Sequence, residues 1–276
     1  MIVINTIEEL TQKLSETTQE IGFVPTMGAL HDGHISLIKQ SKLDNPITVV
    51  SIFVNPTQFL AGEDLEKYPR KDDSDKKICE LCNVDYLFMP NINTMYTDDE
   101  VLLKAPKIKG FILEGYKRPG HFDGMLQIVL KLLNIVNPAN AYFGKKDAQQ
   151  LSLIIQMVKN LYIKTNIIAC DIVREKDGLA MSSRNIYLTT SERKIALNIS
   201  KSLELSAKLI GSGETSVCEV VDMISNHLNK FKIIEIEYIE IVNVNFEQID
   251  TVEINNTIIL IAVKISNTRL IDNIWI

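Results

Sequence analysis

The stretch that most constrains this chain lies near its start. An apolar run, Ile21-Gly22-Phe23-Val24, leads into PTMGALHDGH, Pro25 to His34, and Ile35-Ser36-Leu37-Ile38-Lys39 follows. The run suits a buried strand, and the apolar positions 35, 37 and 38 suit the start of a helix packed on a sheet. The ten residues between them therefore read as a strand-to-helix turn. Gly28 and Gly33 allow the backbone to approach a ligand closely, and the unpaired N–H groups at the helix start favour a phosphate. His31 and His34 are three apart, so a helical first turn sets both imidazoles on one face, directed at the same phosphate. A short His pair beside a glycine turn is more often surface or satisfied core than catalytic. Its place beyond the carboxyl end of a strand, where open α/β sheets bind ligands, is what favours a site.

The rest of the chain continues the alternation. Ile47–Val54 is a β-branched run fit for a strand buried on both faces, and it stops at Asn55-Pro56. Thr57-Gln58-Phe59 then lie beyond another strand end, and 61–71 reads as a loop ending at Tyr68-Pro69-Arg70. A helix is expected over 72–82 and a strand over 84–89. Residues 91–120 are irregular and hold EGYKRPGH, with Arg118 followed by His121. A helix over 122–136 and a short strand over 139–143 precede GKKDAQQ, Gly144 to Gln150, which opens a helix running to Val158.

A strand over 164–172 leads into VREKDGLAMSSRN, Val173 to Asn185, whose charge and hydroxyl groups mark a mobile segment and the domain boundary. Helices over 190–210 and 215–228 and antiparallel strands over 233–242, 257–265 and 270–274 complete the chain. The expected fold is α/β: a Rossmann-like parallel-sheet domain over 1–172 and a smaller α+β domain over 173–276.

Charge narrows the partners. Lys plus Arg number 29 against 35 acids, a formal net charge of −6, which disfavours a phosphate-backbone surface and argues against nucleic acid. An anionic small molecule must then be held by local cations and backbone donors. MIVINTIEEL has acids where a secretory leader carries bases, and no apolar run approaches a membrane span. A cytoplasmic protein without membrane partners is expected. Cys79 and Cys82 form a Cys-x-x-Cys without a second Cys/His pair at ligand spacing. Sharing the apolar face of the 72–82 helix with Ile78, they read as core residues rather than a zinc or redox site.

Chemistry at a phosphate places charge on its oxygens and on the leaving group, so positioned donors and cations matter most. His31 and His34 fit that need, and Lys146 with Ser182, Ser183 and Arg184 could supply a second set. Gln58 and Gln150 follow strand ends and offer neutral donors and acceptors suited to a small hydroxy acid.

The motif HDGH resembles the His-x-Gly-His signature of the nucleotidyl-transferring superfamily related to class I aminoacyl-tRNA synthetases, and MSSR resembles their mobile Lys-Met-Ser-Lys-Ser loop. The blocks PTMGALHDGH, SIFVNPTQF, RPGHF, GKKDAQQ and VREKDGLAMSSRN together resemble the pantothenate synthetase family, in order and across the whole chain. That resemblance implies condensation of pantoate with beta-alanine through a pantoyl adenylate, with ATP as substrate, magnesium bridging its phosphates, a C-terminal lid domain and a homodimer. It implies ATP contacts for Pro25, Met27, Gly28, His31, Gly33, His34, Gly144, Lys145, Lys146, Asp147, Val173, Met181, Ser182, Ser183 and Arg184. His31, His34, Lys146, Ser182, Ser183 and Arg184 would be catalytic, with His34 as proton donor. Gln58 and Gln150 would hold pantoate, joined by Met27, Asn55, Tyr68, Arg118 and His121. No metal-ligating residue is implied.

Two positions depart from the family pattern. Lys145 stands where Glu is usual, adding positive charge beside the phosphate site, and Gln127 stands where Thr is usual. Two other functions use similar parts. A nucleotidylyltransferase passing AMP to a phosphate would need extra Arg or Lys where this chain has Gln58 and Gln150. A non-catalytic nucleotide or RNA binder would have no evident need of both histidines.

Overall fold

The computed structural model describes residues 1–276, which divide into two compact units. The first comprises Met1–Lys145 and Gln149–Asp171, the second Lys146–Ala148 and Ile172–Ile276.

In the first unit six parallel strands form one sheet: β1 (Ile2–Ile4), β2 (Ile21–Thr26), β3 (Ile47–Ile52), β4 (Tyr86–Phe88), β5 (Asn140–Gly144) and β6 (Asn166–Cys170). Their spatial order is β1-β4-β3-β2-β5-β6. From β2 the chain winds outward through β3 and β4, then crosses back to place β5 on the other side of β2. That reversal is the topological switch point of a doubly wound sheet, where ligands bind beyond the carboxyl ends. The register makes the opening concrete: β2 and β5 pair only at Gly22 with Asn140 and Phe23 with Ala141. Beyond these pairs the carboxyl halves of the two strands are not bridged to each other.

Six helices accompany these strands: α1 (Ile7–Ser15), α2 (Asp32–Asp44), α3 (Asp72–Leu81), α4 (Ile92–Met95), α5 (Glu114–Lys117) and α6 (His121–Val136). A seventh, α7 (Ala148–Asn160), begins at the last residue of the second unit's short stretch. All six residues of β3 are buried, as a central parallel strand requires. Beside it Val24, Ile38, Val50, Leu87 and Cys79 share one apolar cluster. Cys79 is thus a core residue, its thiol pushed up to about 12 chiefly by burial.

Residues 2–15, to which no element is assigned from the sequence, form β1 and α1. β1 is a three-residue edge strand with Ile2 and Val3 exposed, too short to show a period. The region 91–120, read as irregular, contains the one-turn helices α4 and α5.

In the second unit α8 (Thr190–Gly211) and α9 (Val217–Leu228) pack on an antiparallel sheet of β7 (Ile234–Asn243), β8 (Thr257–Ile265) and β9 (Thr268–Trp275), with β8 central. Thr189 and Glu192 form a reciprocal capping box at the start of α8, satisfying two N-terminal donors. Leu203, Ile224, Ile259 and Ile261 lie at the heart of this core. No helix of the chain is long and apolar enough to cross a membrane.

Candidate active site

Pro25 and Thr26 end β2, and the next residues turn sharply. Thr26 Oγ1 donates to Ser51 O at 2.8 Å and accepts from Gly28 N at 3.2 Å. Gly28 has φ +80° and Ala29 φ +50°. Only glycine visits that left-handed region freely, so the turn needs support at Ala29. Support comes from Asp75 of α3, buried, whose two oxygens accept from Ala29 N and Leu30 N, each at 2.8 Å.

His31 is the N-cap of α2. Its Nδ1 accepts from Gly33 N at 3.2 Å, and His34 Nδ1 accepts from His31 N at 3.3 Å. The two histidines thus form a reciprocal capping box, a role usually taken by Ser or Thr with Glu. Their ring centroids are 4.1 Å apart. Since both Nδ1 atoms accept, each ring carries its hydrogen on Nε2 as a donor. The geometry therefore refines the expected His pair: one edge of each ring caps the helix, and the opposite edge carries the N–H. Gly33 takes part through its amide.

The end of β3 supplies the neighbouring wall. Asn55, buried, donates from Nδ2 to Gln58 Oε1 at 3.2 Å and to Gly124 O at 3.1 Å, while its Oδ1 accepts from Tyr96 Oη at 2.8 Å. Gln58, buried on the 3-10 turn Pro56–Gln58, donates from Nε2 to Met27 Sδ. The amide expected at an acid and the turn expected at ATP are thus in direct contact. Tyr68 is buried and edge-on to Phe59 at 5.6 Å.

A chain of hydrogen bonds fixes the Gln58 backbone. Glu63 accepts two bonds from Arg118, at 2.6 and 2.7 Å. Arg118 Nη1 lies 3.0 Å from His121 Nε2, and His121 Nδ1 lies 2.6 Å from Gln58 O. Guanidinium can only donate, so Nε2 accepts and Nδ1–H donates to the carbonyl. Burial, with Arg118 beside it, lowers the His121 pKa to about 4, keeping it neutral. Burial alone would raise the Glu63 carboxyl, but the Arg118 hydrogen bond and the Leu60 amide bring it below its ordinary value.

At the end of β5, Gly144 pairs with Cys170, and Lys145 Nζ contacts Asp171 at 2.6 Å. Part of the extra charge expected beside the phosphate site is thus directed to an exposed carboxylate. Gln150 is half-buried on α7. Its neighbour Gln149 is committed structurally: it accepts from Glu114 N at 3.0 Å and donates to Lys109 O and Ile112 O at 2.7 and 2.9 Å. Gln127 likewise spans a loop, accepting from Leu103 N at 2.7 Å and donating to Val101 O at 2.9 Å.

The remaining expected residues belong to the second unit. Lys146 Nζ is 3.4 Å from Asp147 Oδ1, and Lys146 O accepts from Asn273 Nδ2 at 2.8 Å. Ser182 caps the 3-10 turn Ser183–Tyr187, accepting from Arg184 N at 3.3 Å. Val173 O accepts from Met181 N at 3.0 Å, closing a hairpin turned at Gly178. Three of the charges that mark this segment in the sequence, Arg174, Glu175 and Asp177, are paired. Arg174 grips buried Asp272 through contacts of 2.6 and 3.0 Å, and Arg193 reaches Glu175 and Asp177.

Asp75, Glu63, Tyr96 and Gly124 were not read as site residues. Asp75 did carry a signal, because its spacing from Ile78, Cys79 and Cys82 sets it on the apolar stripe of its helix. A charge on that stripe needs a buried partner. Glu63 sits in a polar loop and carries no comparable sign.

Fold and site together define a doubly wound α/β protein with a two-histidine turn at its switch point. Residues 2–275 match the family model described as pantoate-beta-alanine ligase. A pantothenate synthetase of Aliarcobacter butzleri is 60% identical over 276 residues, covering 100% of both chains. The crystal structure of pantothenate synthetase from Thermus thermophilus superposes with a TM-score of 0.95 at 35% identity, covering 99% of each chain. That of pantoate-beta-alanine ligase from Francisella tularensis, complexed with beta-gamma ATP and beta-alanine, gives 0.81 at 38%, covering 100% of this chain and 97% of the other. The chain belongs to the pantoate–beta-alanine ligase family and is an enzyme of the acid–amino-acid ligase class.

Proposed function

We propose that the chain condenses pantoate with beta-alanine in two steps. In the first, a pantoate carboxylate oxygen attacks the α-phosphorus of ATP, the bond to pyrophosphate breaks, and a pantoyl adenylate forms. In the second, the beta-alanine amine attacks the acyl carbon, the carbon–oxygen bond to AMP breaks, the amine loses a proton, and pantothenate leaves. The observation that carries this reading is the His31–His34 capping box at the start of α2, in a turn whose Met27 touches the Gln58 amide.

On this reading the Nε2–H groups and the helix N-terminus stabilise charge gathering on the phosphates, His34 acting as proton donor. Pro25, Met27, Gly28 and Gly33 shape that cradle. Gln58 and Gln150 hold pantoate without adding positive charge, which would lower the nucleophilicity of the carboxylate. Arg118 is committed to Glu63, which supports a neutral acid pocket over one built for an acceptor phosphate. Its place here is to hold His121, as Asn55 holds Gln58, with Tyr68 packing the wall.

Lys146, Ser182, Ser183 and Arg184 bring further donors, with Gly144, Lys145, Asp147, Val173 and Met181 lining ATP. The second unit would serve as lid, moving as a body because its 173–185 hairpin is fastened internally, and would keep water from the adenylate. Magnesium, carried by ATP, would neutralise its phosphates. A homodimer in the cytoplasm is the setting the resemblance implies.

The test is ATP–pyrophosphate exchange with separate candidate acids. Exchange that requires pantoate supports the reading. Exchange without it, or with a phosphate acceptor in its place, overturns it.

A further inference from the structure

Asp75 is 1% exposed and lies on the face of α3 that also buries Cys79. Burying a carboxylate is costly unless its oxygens are satisfied. Here each oxygen takes one of two consecutive backbone amides, Ala29 N and Leu30 N, both at 2.8 Å. Those amides belong to buried residues, so the carboxylate satisfies groups that would otherwise be orphaned.

The pairing also fixes direction. Ala29 has φ +50°, a conformation that costs an alanine energy and persists only where its surroundings impose it. A Cβ added at Gly28 would lie 3.0 Å from Asp75 Oδ2 and 3.0 Å from Ile52 Cγ2, so the carboxylate and β3 enclose the turn from two sides. Leu30 leads directly into His31, and any rotation of its peptide plane is passed to the N-cap.

We propose that Asp75 is the positioning residue for the His31–His34 pair: its carboxylate locks the 28–30 turn so that both imidazoles cap α2 and present Nε2–H to the reacting phosphate. This rests on the phosphate reading of the turn given above. The identity of the acid matters. An Asn at 75 could accept one amide through its oxygen, but its NH2 would meet the other donor head-on. A Glu would carry the oxygens one methylene too far. A purely electrostatic role makes the opposite prediction, since removing a negative charge near an anion site should tighten ATP.

The experiment compares wild type with Asp75→Asn by pantoate-dependent ATP–pyrophosphate exchange, with KM measured separately for ATP and pantoate. Nitrogen NMR of the His31 and His34 rings is recorded on both proteins. The expected result is a fall in kcat of about 10- to 100-fold, the scale of a small misplacement of catalytic groups, with KM for pantoate within about twofold. At least one ring should also lose its single Nε2–H tautomer. Unchanged kcat with unchanged ring spectra, or a lower KM for ATP at full kcat, would overturn the proposal.

Should Asp75→Asn not fold, Asp75→Glu takes its place under the same criteria. In wild type, rapid hydrogen exchange at the Ala29 and Leu30 amides would overturn the proposal by itself. Wild-type inactivity towards pantoate would instead sink the reaction assigned above, while the ring spectra would still decide for or against Asp75.

Discussion

Gly124→Ala probes how tightly the proposed acid pocket is built. In the first turn of α6, a Cβ at 124 would stand 2.1 Å from Thr57 O, 2.4 Å from Thr57 C and 2.8 Å from Gln58 N. All three are backbone atoms, so no side chain can rotate away. Restoring an ordinary contact requires the 56–58 turn and α6 to part by about 1 Å. Asn55 would be disturbed too, because its Nδ2 donates both to Gly124 O and to Gln58 Oε1. Overpacking costs about 1–3 kcal/mol, whereas alanine in a helix recovers about 1 kcal/mol, so net destabilisation should be at most about 2 kcal/mol. Function should suffer more, since a 1 Å misplacement can cost about 100-fold. We expect that loss in kcat/KM for pantoate, with ATP affinity little changed. Urea denaturation and pyrophosphate exchange with pantoate titrated are the assays. A folded Gly124→Ala protein with KM and kcat for pantoate within twofold of wild type would refute this packing argument.

Three further outcomes can be checked. His34→Ala should fold yet lose at least about 100-fold in pyrophosphate exchange, as for removal of one transition-state donor; near wild-type exchange would deny His34 its role. His121 is held neutral, its pKa lowered from 6.5 to about 4 by burial and Arg118. Because the unfolded chain takes up this proton first, the stability it contributes is complete above pH 6.5 and is lost as pH falls towards 4, roughly 3 kcal/mol in all. Urea midpoints for wild type and His121→Gln across that window should show a steeper decline in wild type, and parallel curves would contradict it. Arg174→Met leaves the buried Asp272 carboxylate without its cation, which should cost about 3 kcal/mol and be largely relieved by adding Asp272→Asn. A loss below about 1 kcal/mol on denaturation would mean that the pair does not hold the hairpin.

What the sequence made legible follows from where its signals are local. The Pro25–His34 turn stands out because a β run, glycines and a helical period meet within a few residues, and the buried β3 stands out because five of its six residues are β-branched. β1 has only three residues and one buried side chain, so nothing periodic marks it. The His31 and His34 side chains were recognisable as a pair. Their use of Nδ1 to cap α2 depends on rotamers that spacing cannot specify. Asp75 and Glu63 act on residues 45 and 55 positions away in the chain, and such pairings are set by sheet order and loop path. In the segment 173–185 charge is equally a sign of solvation and of ion pairing. Only the folded position of Asp272, 98 residues on, distinguishes them.

Activation of pantoate as an acyl adenylate at the His31–His34 turn, as proposed, is decided by the fate of one carboxylate oxygen. Pantoate labelled with heavy oxygen in its carboxylate is turned over with ATP and beta-alanine, and the products are weighed by mass spectrometry. One labelled oxygen is expected in AMP and one in pantothenate, with none in pyrophosphate. Unlabelled AMP, or label in inorganic phosphate with ADP as the nucleotide product, would contradict it.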